Sequence, residues 1–171
     1  MIEREGRVSP AEGVDPGAPG RAHCATPLGW VVVYSRGGAV VEVRIQTQPP
    51  EGPGEGAGVA RRACDALQRW LAGGPWPRAF PVAPQGTPFQ QRVWRALMEI
   101  APGERLTYGE LARRLQTGPR AVGGACRANP IPLLIPCHRV VAAKGDGGFA
   151  GHRDGPWLAI KRWLLEHERS S

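Results

Sequence analysis

Thr107-Tyr108-Gly109-Glu110-Leu111-Ala112-Arg113-Arg114-Leu115 is followed by Gln116-Thr117-Gly118 and then by Pro119-Arg120-Ala121-Val122-Gly123-Gly124-Ala125-Cys126-Arg127. Thr107 with Glu110 three residues on is a capping box, in which side chain and backbone satisfy each other's orphan groups at a helix start. That helix runs to about Leu115. The break at Thr117-Gly118 and the proline at 119, whose fixed φ suits a first helical turn, open a second helix over Pro119–Arg127. Two short helices across a tight glycine-containing turn make a helix-turn-helix. Gly123 and Gly124 inside the second helix cost on the order of 1 kcal/mol each against alanine, so something must require their smallness. With Ala121 and Ala125 they leave a smooth surface between Arg120 and Arg127. Smooth and basic suits close approach to a nucleic acid; tight packing against another helix is the alternative. The lack of long polar side chains argues against bidentate reading of the major groove. It favours shape-tolerant contact in the minor groove without strong sequence specificity.

Upstream, Thr87-Pro88-Phe89-Gln90 supplies an N-cap, a proline at the first helical position and the glutamine of another capping box. Phe89, Val93, Leu97 and Ile100 then form an apolar stripe ended by Pro102-Gly103. Downstream, the apolar run 131–135 leads into Pro136-Cys137-His138-Arg139-Val140. A cysteine beside a histidine and an arginine is placed to react, because the thiolate is the nucleophile and nearby cations favour it. Taken alone, Cys137 reads first as a small buried hydrophobe, and only the residues around it reverse that. The last helix, about 157–168, puts Trp157, Ile160, Leu164 and Glu168 on one stripe, with Leu165 beside it. Glu168 then faces inward and wants a partner. A Glu168–His138–Cys137 relay would orient the imidazole and favour the thiolate; a frayed terminal turn with Glu168 in solvent is the alternative.

Residues 1–22 are Gly, Pro and charge without periodicity and read as a disordered tail. Two β-branched runs, Trp30-Val31-Val32-Val33-Tyr34 and Ala39-Val40-Val41-Glu42-Val43-Arg44-Ile45, flank a Gly-Gly turn and predict a hairpin. Residues 47–58 are a loop. Residues 63, 67, 70 and 71 give Val59–Leu71 a helical apolar face before the stop signal Gly73-Gly74-Pro75. Residues 81–86 connect to the second unit.

The expected fold class is therefore α+β. A small N-terminal α/β domain over 23–85 (hairpin or sheet with a helix) precedes a mostly helical domain over 86–171, which carries the helix-turn-helix and a short active-site strand. A chain of 171 residues has room for this. Four cysteines without paired spacing and no apolar leader predict a reduced, cytoplasmic setting rather than a disulfide framework. No apolar run approaches the roughly 18 residues of a membrane span. Cys24 beside His23, with Cys64, offers too few ligands for a zinc site, and no metal is expected. Net charge is +7, of which residues 1–85 carry +1 and residues 86–171 carry +6. That asymmetry suits a polyanionic partner on the second half. Arginine makes up twenty of the 22 basic residues, beside 24 Gly and 18 Pro, so a compositional bias is the competing explanation.

The chain resembles the O6-alkylguanine-DNA alkyltransferases. The resemblance lies in Thr87-Pro88-Phe89-Gln90-Gln91-Arg92-Val93-Trp94, Thr107-Tyr108-Gly109-Glu110-Leu111-Ala112, Arg120-Ala121-Val122-Gly123-Gly124-Ala125 and Asn129-Pro130-Ile131-Pro132. It continues through Ile135-Pro136-Cys137-His138-Arg139-Val140-Val141 and Arg162-Trp163-Leu164-Leu165-Glu166-His167-Glu168, and is looser over 25–86. It implies direct reversal of damage: O6-alkylguanine, with O4-alkylthymine a second candidate lesion, leaves the duplex and gives its alkyl group irreversibly to Cys137, once per molecule. His138 would act through a water as base, Glu168 would orient it, Tyr108 would offer its phenol to the purine, and Asn129 would tie the turn before the active-site strand. Arg120 would fill the gap in the base stack, with Thr107, Tyr108, Ala121, Gly123, Gly124, Ala125 and Arg127 also on the DNA side. The base pocket would take Val140, Phe149, Ala150, Cys126 and Pro132, with the Cys137 and Val140 carbonyls meeting the exocyclic amine. A monomer without cofactor or membrane partner is expected.

The chain departs from the family pattern in two places. It is about two residues shorter between Tyr108 and Arg120, and residues 152–157 look like an insertion beside the loop that would cover the alkyl group. Rival readings are a non-catalytic lesion binder that recruits other repair factors, a transcription regulator built on the helix-turn-helix, and a cysteine hydrolase. The presence of Cys137 opposes the first, Gly123 and Gly124 on the reading helix oppose the second, and lack of turnover would separate the third.

Overall fold

The computed structural model describes residues 19–53, 58–144 and 155–170. Its first layer is an antiparallel sheet in the order β1-β2-β3, made of β1 (Gly20–Thr26), β2 (Gly29–Arg36) and β3 (Ala39–Gln46). The predicted hairpin is β2 with β3, joined through Gly37 and Gly38, both at positive φ. β1 is a correction: it begins inside the stretch read as a disordered tail and pairs with β2 from Gly29 to Ser35. Its sequence, Gly-Arg-Ala-His-Cys-Ala-Thr, has one β-branched residue, so propensity gives little sign of it. What makes it a strand is burial, since Ala22 and Cys24 alternate into the core.

The helix α1 (Val59–Leu71) lies on this sheet and buries Ala63, Leu67, Trp70 and Leu71, the residues its apolar face predicted. The second layer is helical: α2 (Pro88–Met98), α3 (Tyr108–Leu115), α4 (Pro119–Arg127) and α5 (Gly155–Arg169). Both capping boxes form: Gln90 N–H donates to Thr87 Oγ1 at 3.1 Å, and Glu110 N–H to Thr107 Oγ1 at 3.1 Å, each answered by the acidic or amide side chain reaching back. Val93, Leu97 and Ile100 of the predicted stripe are buried and Phe89 is half-buried. Between α3 and α4 the shortened turn is closed by Gln116 in the left-handed region, φ 56°, one residue before the break that Thr117-Gly118 suggested.

Two features tie the second layer together around the segment that carries Cys137. Trp94, buried on α2, donates its indole N–H to the Ala125 carbonyl at 2.8 Å and so fixes α4. The short strands β4 (Leu106–Thr107) and β5 (Val140–Val141) pair in parallel, tying the start of the helix-turn-helix to the segment after Cys137. Val43 N–H also bonds the Pro130 carbonyl at 2.9 Å, and a single hydrophobic core runs through both layers.

Candidate functional site

Asn129 shapes the approach to Cys137. Its amide N–H donates to the Ile135 carbonyl and its oxygen accepts from Ile131 N–H, both at 2.9 Å. These bonds close the turn over 129–135, after which Cys137–Arg139 forms one turn of 3-10 helix. Cys137 is 7% exposed. Burial pushes its thiol up, opposed by a hydrogen bond from the Asn129 side chain and by the charge of Lys161. The resting group is therefore a thiol that must lose its proton during reaction. His138 turns to Glu168 as the relay expected, whereas Arg139, read as a cation beside the thiol, turns to Glu168 as well.

Glu168 sits 4% exposed at the end of α5, as the stripe required. It accepts from His138 Nε2 at 2.9 Å, and Arg139 grips it with Nε at 3.0 and 3.1 Å and Nη2 at 2.7 Å. Burial pushes the Glu168 carboxyl up, but the hydrogen bonds and charges of His138 and Arg139 outweigh it and bring the pKa down to about 2. A carboxylate only accepts, so the imidazole proton lies on Nε2 and Nδ1 keeps a lone pair. Nδ1 is buried without a hydrogen-bond partner among the described residues. Burial, the largest influence, lowers the His138 pKa against the pull of Glu168, so the ring stays neutral and able to take a proton.

Sequence reasoning missed Arg139 and Lys161 as site residues. Arg139 is fully buried, with its guanidinium 4.2 Å from the centre of the Trp76 ring. Lys161, also fully buried, donates to the Val140 carbonyl at 2.7 Å and stands 5.8 Å over the Tyr108 ring. A lysine one turn from Trp157 and Leu165, on the buried face of α5, was the available signal. The Val140 and Cys137 carbonyls thus each accept one bond already, from Lys161 and from Val140 N–H, and each keeps a second lone pair for a base amine. Cys126 is buried, its thiol pushed up by burial and by neighbouring Cys137, while Pro132 is half-buried on the same turn. Phe149 and Ala150, with residues 152–154 of the insertion, lie outside the described residues.

On α4, Arg120, Ala121, Gly124 and Arg127 are exposed and Gly123 is half-buried. Ala125 does not belong to that face: it is 3% exposed and packs inward under Trp94. Thr107 and Tyr108 are half-buried at the start of α3. A Cβ added at Gly123 or Gly124 would meet no atom within 4 Å, so packing gives no reason for either glycine. Replacing both by alanine is expected to raise thermal stability, each by up to about 1 kcal/mol. The same change should weaken duplex binding by roughly tenfold, about 1.4 kcal/mol. Melting and DNA titration check the two opposite signs; tighter binding would sink the close-approach reading.

Among the described residues no group of three His, Cys, Asp or Glu side chains is placed to hold a metal, and no helix is long and apolar enough to cross a membrane. A basic helix-turn-helix is thus joined by a strand pair to the segment of a buried thiol, next in sequence to a buried histidine–carboxylate pair. Residues 88–170 match the family described as 6-O-methylguanine DNA methyltransferase, DNA binding domain. A methylated-DNA–protein-cysteine methyltransferase of Methanosarcina mazei is 42% identical over 113 residues, 65% of this chain and 69% of that protein. One from Haemophilus influenzae is 48% identical over 53% of this chain and 49% of its own length, so the chain spans about half of that relative. The Mycobacterium tuberculosis O6-methylguanine methyltransferase superposes with a TM-score of 0.76 at 34% identity, covering 90% of this chain and 94% of that one. The same mycobacterial protein solved with DNA gives 0.74 at 34% identity, over 88% and 93%. The chain belongs to the methylated-DNA–protein-cysteine methyltransferase family.

Proposed function

We propose that this chain repairs DNA by direct reversal, moving an alkyl group from O6 of guanine to Sγ of Cys137 in one stoichiometric turnover. The observation that carries the reading is the buried Glu168–His138 pair with Nδ1 left as a buried acceptor beside Cys137 in sequence. The damaged nucleotide leaves the stack at a cost of a few kcal/mol, and exposed Arg120 fills its place while α4 lies in the minor groove. His138 takes the thiol proton through a water, and sulfur attacks the alkyl carbon as the carbon–oxygen bond breaks. The bonding electron pair goes to O6 of the departing guanine, the Tyr108 phenol neutralises the charge on the purine, and the one proton guanine gains balances the one His138 took from the thiol. The thioether has no leaving group of comparable quality, so the protein is spent. O4-alkylthymine offers the same alkyl–oxygen bond. The four cysteines are free thiols, which suits a reducing cytoplasm.

Intact mass after incubation with a duplex containing O6-methylguanine tests this. One methyl per chain, saturating, is expected. Continued turnover would mean a hydrolase, and an unchanged mass with lesion binding would mean a non-catalytic binder.

A further inference from the structure

The relay is covered from the side of the N-terminal layer, by a tryptophan that lies against its histidine and bonds the residue next to its carboxylate. Trp70, near the end of α1, is 1% exposed. Its ring lies against the His138 imidazole, centroids 6.1 Å apart and planes at 34°. Its carbonyl oxygen is 2.8 Å from Nε2 of His167, the residue next to Glu168. His167 is in turn stacked on Trp163 at 4.7 Å and meets the Trp70 ring edge-on at 6.1 Å. One residue therefore sets the imidazole plane with its ring and the end of α5 with its backbone. A recess of about 290 Å³ reaches this region, lined by Trp70, Trp76, Pro102 and Glu168 among others. His138 is not in its wall, whereas its two neighbours Trp70 and Glu168 are.

We propose that Trp70 is a positioning residue for alkyl transfer: it holds the His138 ring in line with Glu168 and keeps water from that face. The proposal rests on His138 acting as the base. The groups placed to influence the imidazole are Glu168, Lys161 and His167 from α5, with Cys137 and Arg139 on either side of it in the chain; α1 presents the uncharged indole. Removing the indole lets water reach the ring and relieves the burial that disfavours its charged form. The imidazole of such a variant protonates at higher pH. Transfer requires the neutral ring, so the acid side of the rate profile moves up in pH.

The test measures the alkyl-transfer rate on an O6-methylguanine duplex from pH about 5 to about 9, spanning the histidine range. Trp70→Phe keeps an aromatic face and is expected to stay within roughly threefold of wild type, since its geometry supports the same base catalysis. Trp70→Leu should fall by roughly tenfold at neutral pH, part of the 10²–10⁴ that a positioned base contributes, with its acid limb displaced upward. Trp70→Met, longer and more adaptable, carries the same test if the leucine chain does not fold. A uniform slowing in the non-aromatic variant with the acid limb unmoved would reduce Trp70 to a packing residue and overturn the proposal, as would an unchanged rate. Failure of the wild type itself to accept alkyl would instead remove the function proposed above.

Discussion

Cys137→Ala is expected to abolish alkyl acceptance while leaving binding to alkylated duplex within a few-fold of wild type. The substitution deletes one sulfur from a residue that is already buried; it removes the contact of the Asn129 side chain with the thiol but keeps the two Asn129 bonds to Ile135 and Ile131 that close the turn. The fold should therefore tolerate it, at the low end of core truncations, about 1 kcal/mol. No other thiol is equipped to substitute. Cys126 is the nearest rival, but burial pushes its thiol up and it has no histidine–carboxylate pair of its own among the described residues. Cys24 and Cys64 lie between β1 and α1, where Cys24 Sγ is 3.6 Å from the Cys64 carbonyl. Intact mass and peptide mapping after exposure to an O6-methylguanine duplex check the expectation. A methyl group found on Cys126 of the variant would mean that position, rather than the relay, selects the acceptor. The variant also separates chemistry from recognition, because a chain that binds the lesion without reacting is the non-catalytic binder considered at the outset.

Much of this site was written locally. The capping boxes at Thr87 and Thr107, the proline at 119 and the stop after Leu71 each work within a few residues, and the helices begin and end close to them. Glu168 was legible as an inward carboxylate because a helix repeats every 3.6 residues. Its second partner was not, since the Arg139–Glu168 contact spans 29 residues and no spacing rule links a 3-10 turn to a distant helix end. The same distance hides Trp70 against His138, where an apolar helix face reads only as core. β1 was missed for a different reason: its small residues form a strand because β2 offers a partner, a cause outside the segment. Where Arg139 was expected to favour the thiolate, neighbours in sequence were taken for neighbours in space. Cys137 and Arg139 are two residues apart, yet the guanidinium is spent on Glu168 and the cation that acts on the thiol is Lys161.

Glu168→Ala is the largest stability effect expected. The carboxylate is the counter-charge of the fully buried Arg139 guanidinium and the acceptor for the neutral, fully buried His138 ring; removing it leaves the guanidinium without its ion pair, and what remains is a bond to the Ile100 carbonyl and the face of Trp76. Breaking one partner out of a buried pair costs about 3–5 kcal/mol, which for a chain of this size lowers the melting temperature by roughly 6–20 °C. Glu168→Gln should recover only part of this, because its amide brings donors to a place where His138 and Arg139 already donate. The pH dependence has a definite sign. Glu168 titrates at about 2 when folded, against roughly 4.3 when unfolded, so its contribution is complete above the unfolded value and is lost as pH falls toward about 2. His138 adds in the same direction at higher pH, because its folded pKa is also depressed and the unfolded chain takes up the proton first. Wild type should therefore lose stability progressively on acidification below the ordinary histidine range, and the gap between wild type and Glu168→Ala should close as pH falls below about 4. Urea unfolding at a series of pH values measures both. A gap that stays constant across that range would mean that Glu168 stabilises by filling space and not by its charge, and the relay would lose the carboxylate that orients it.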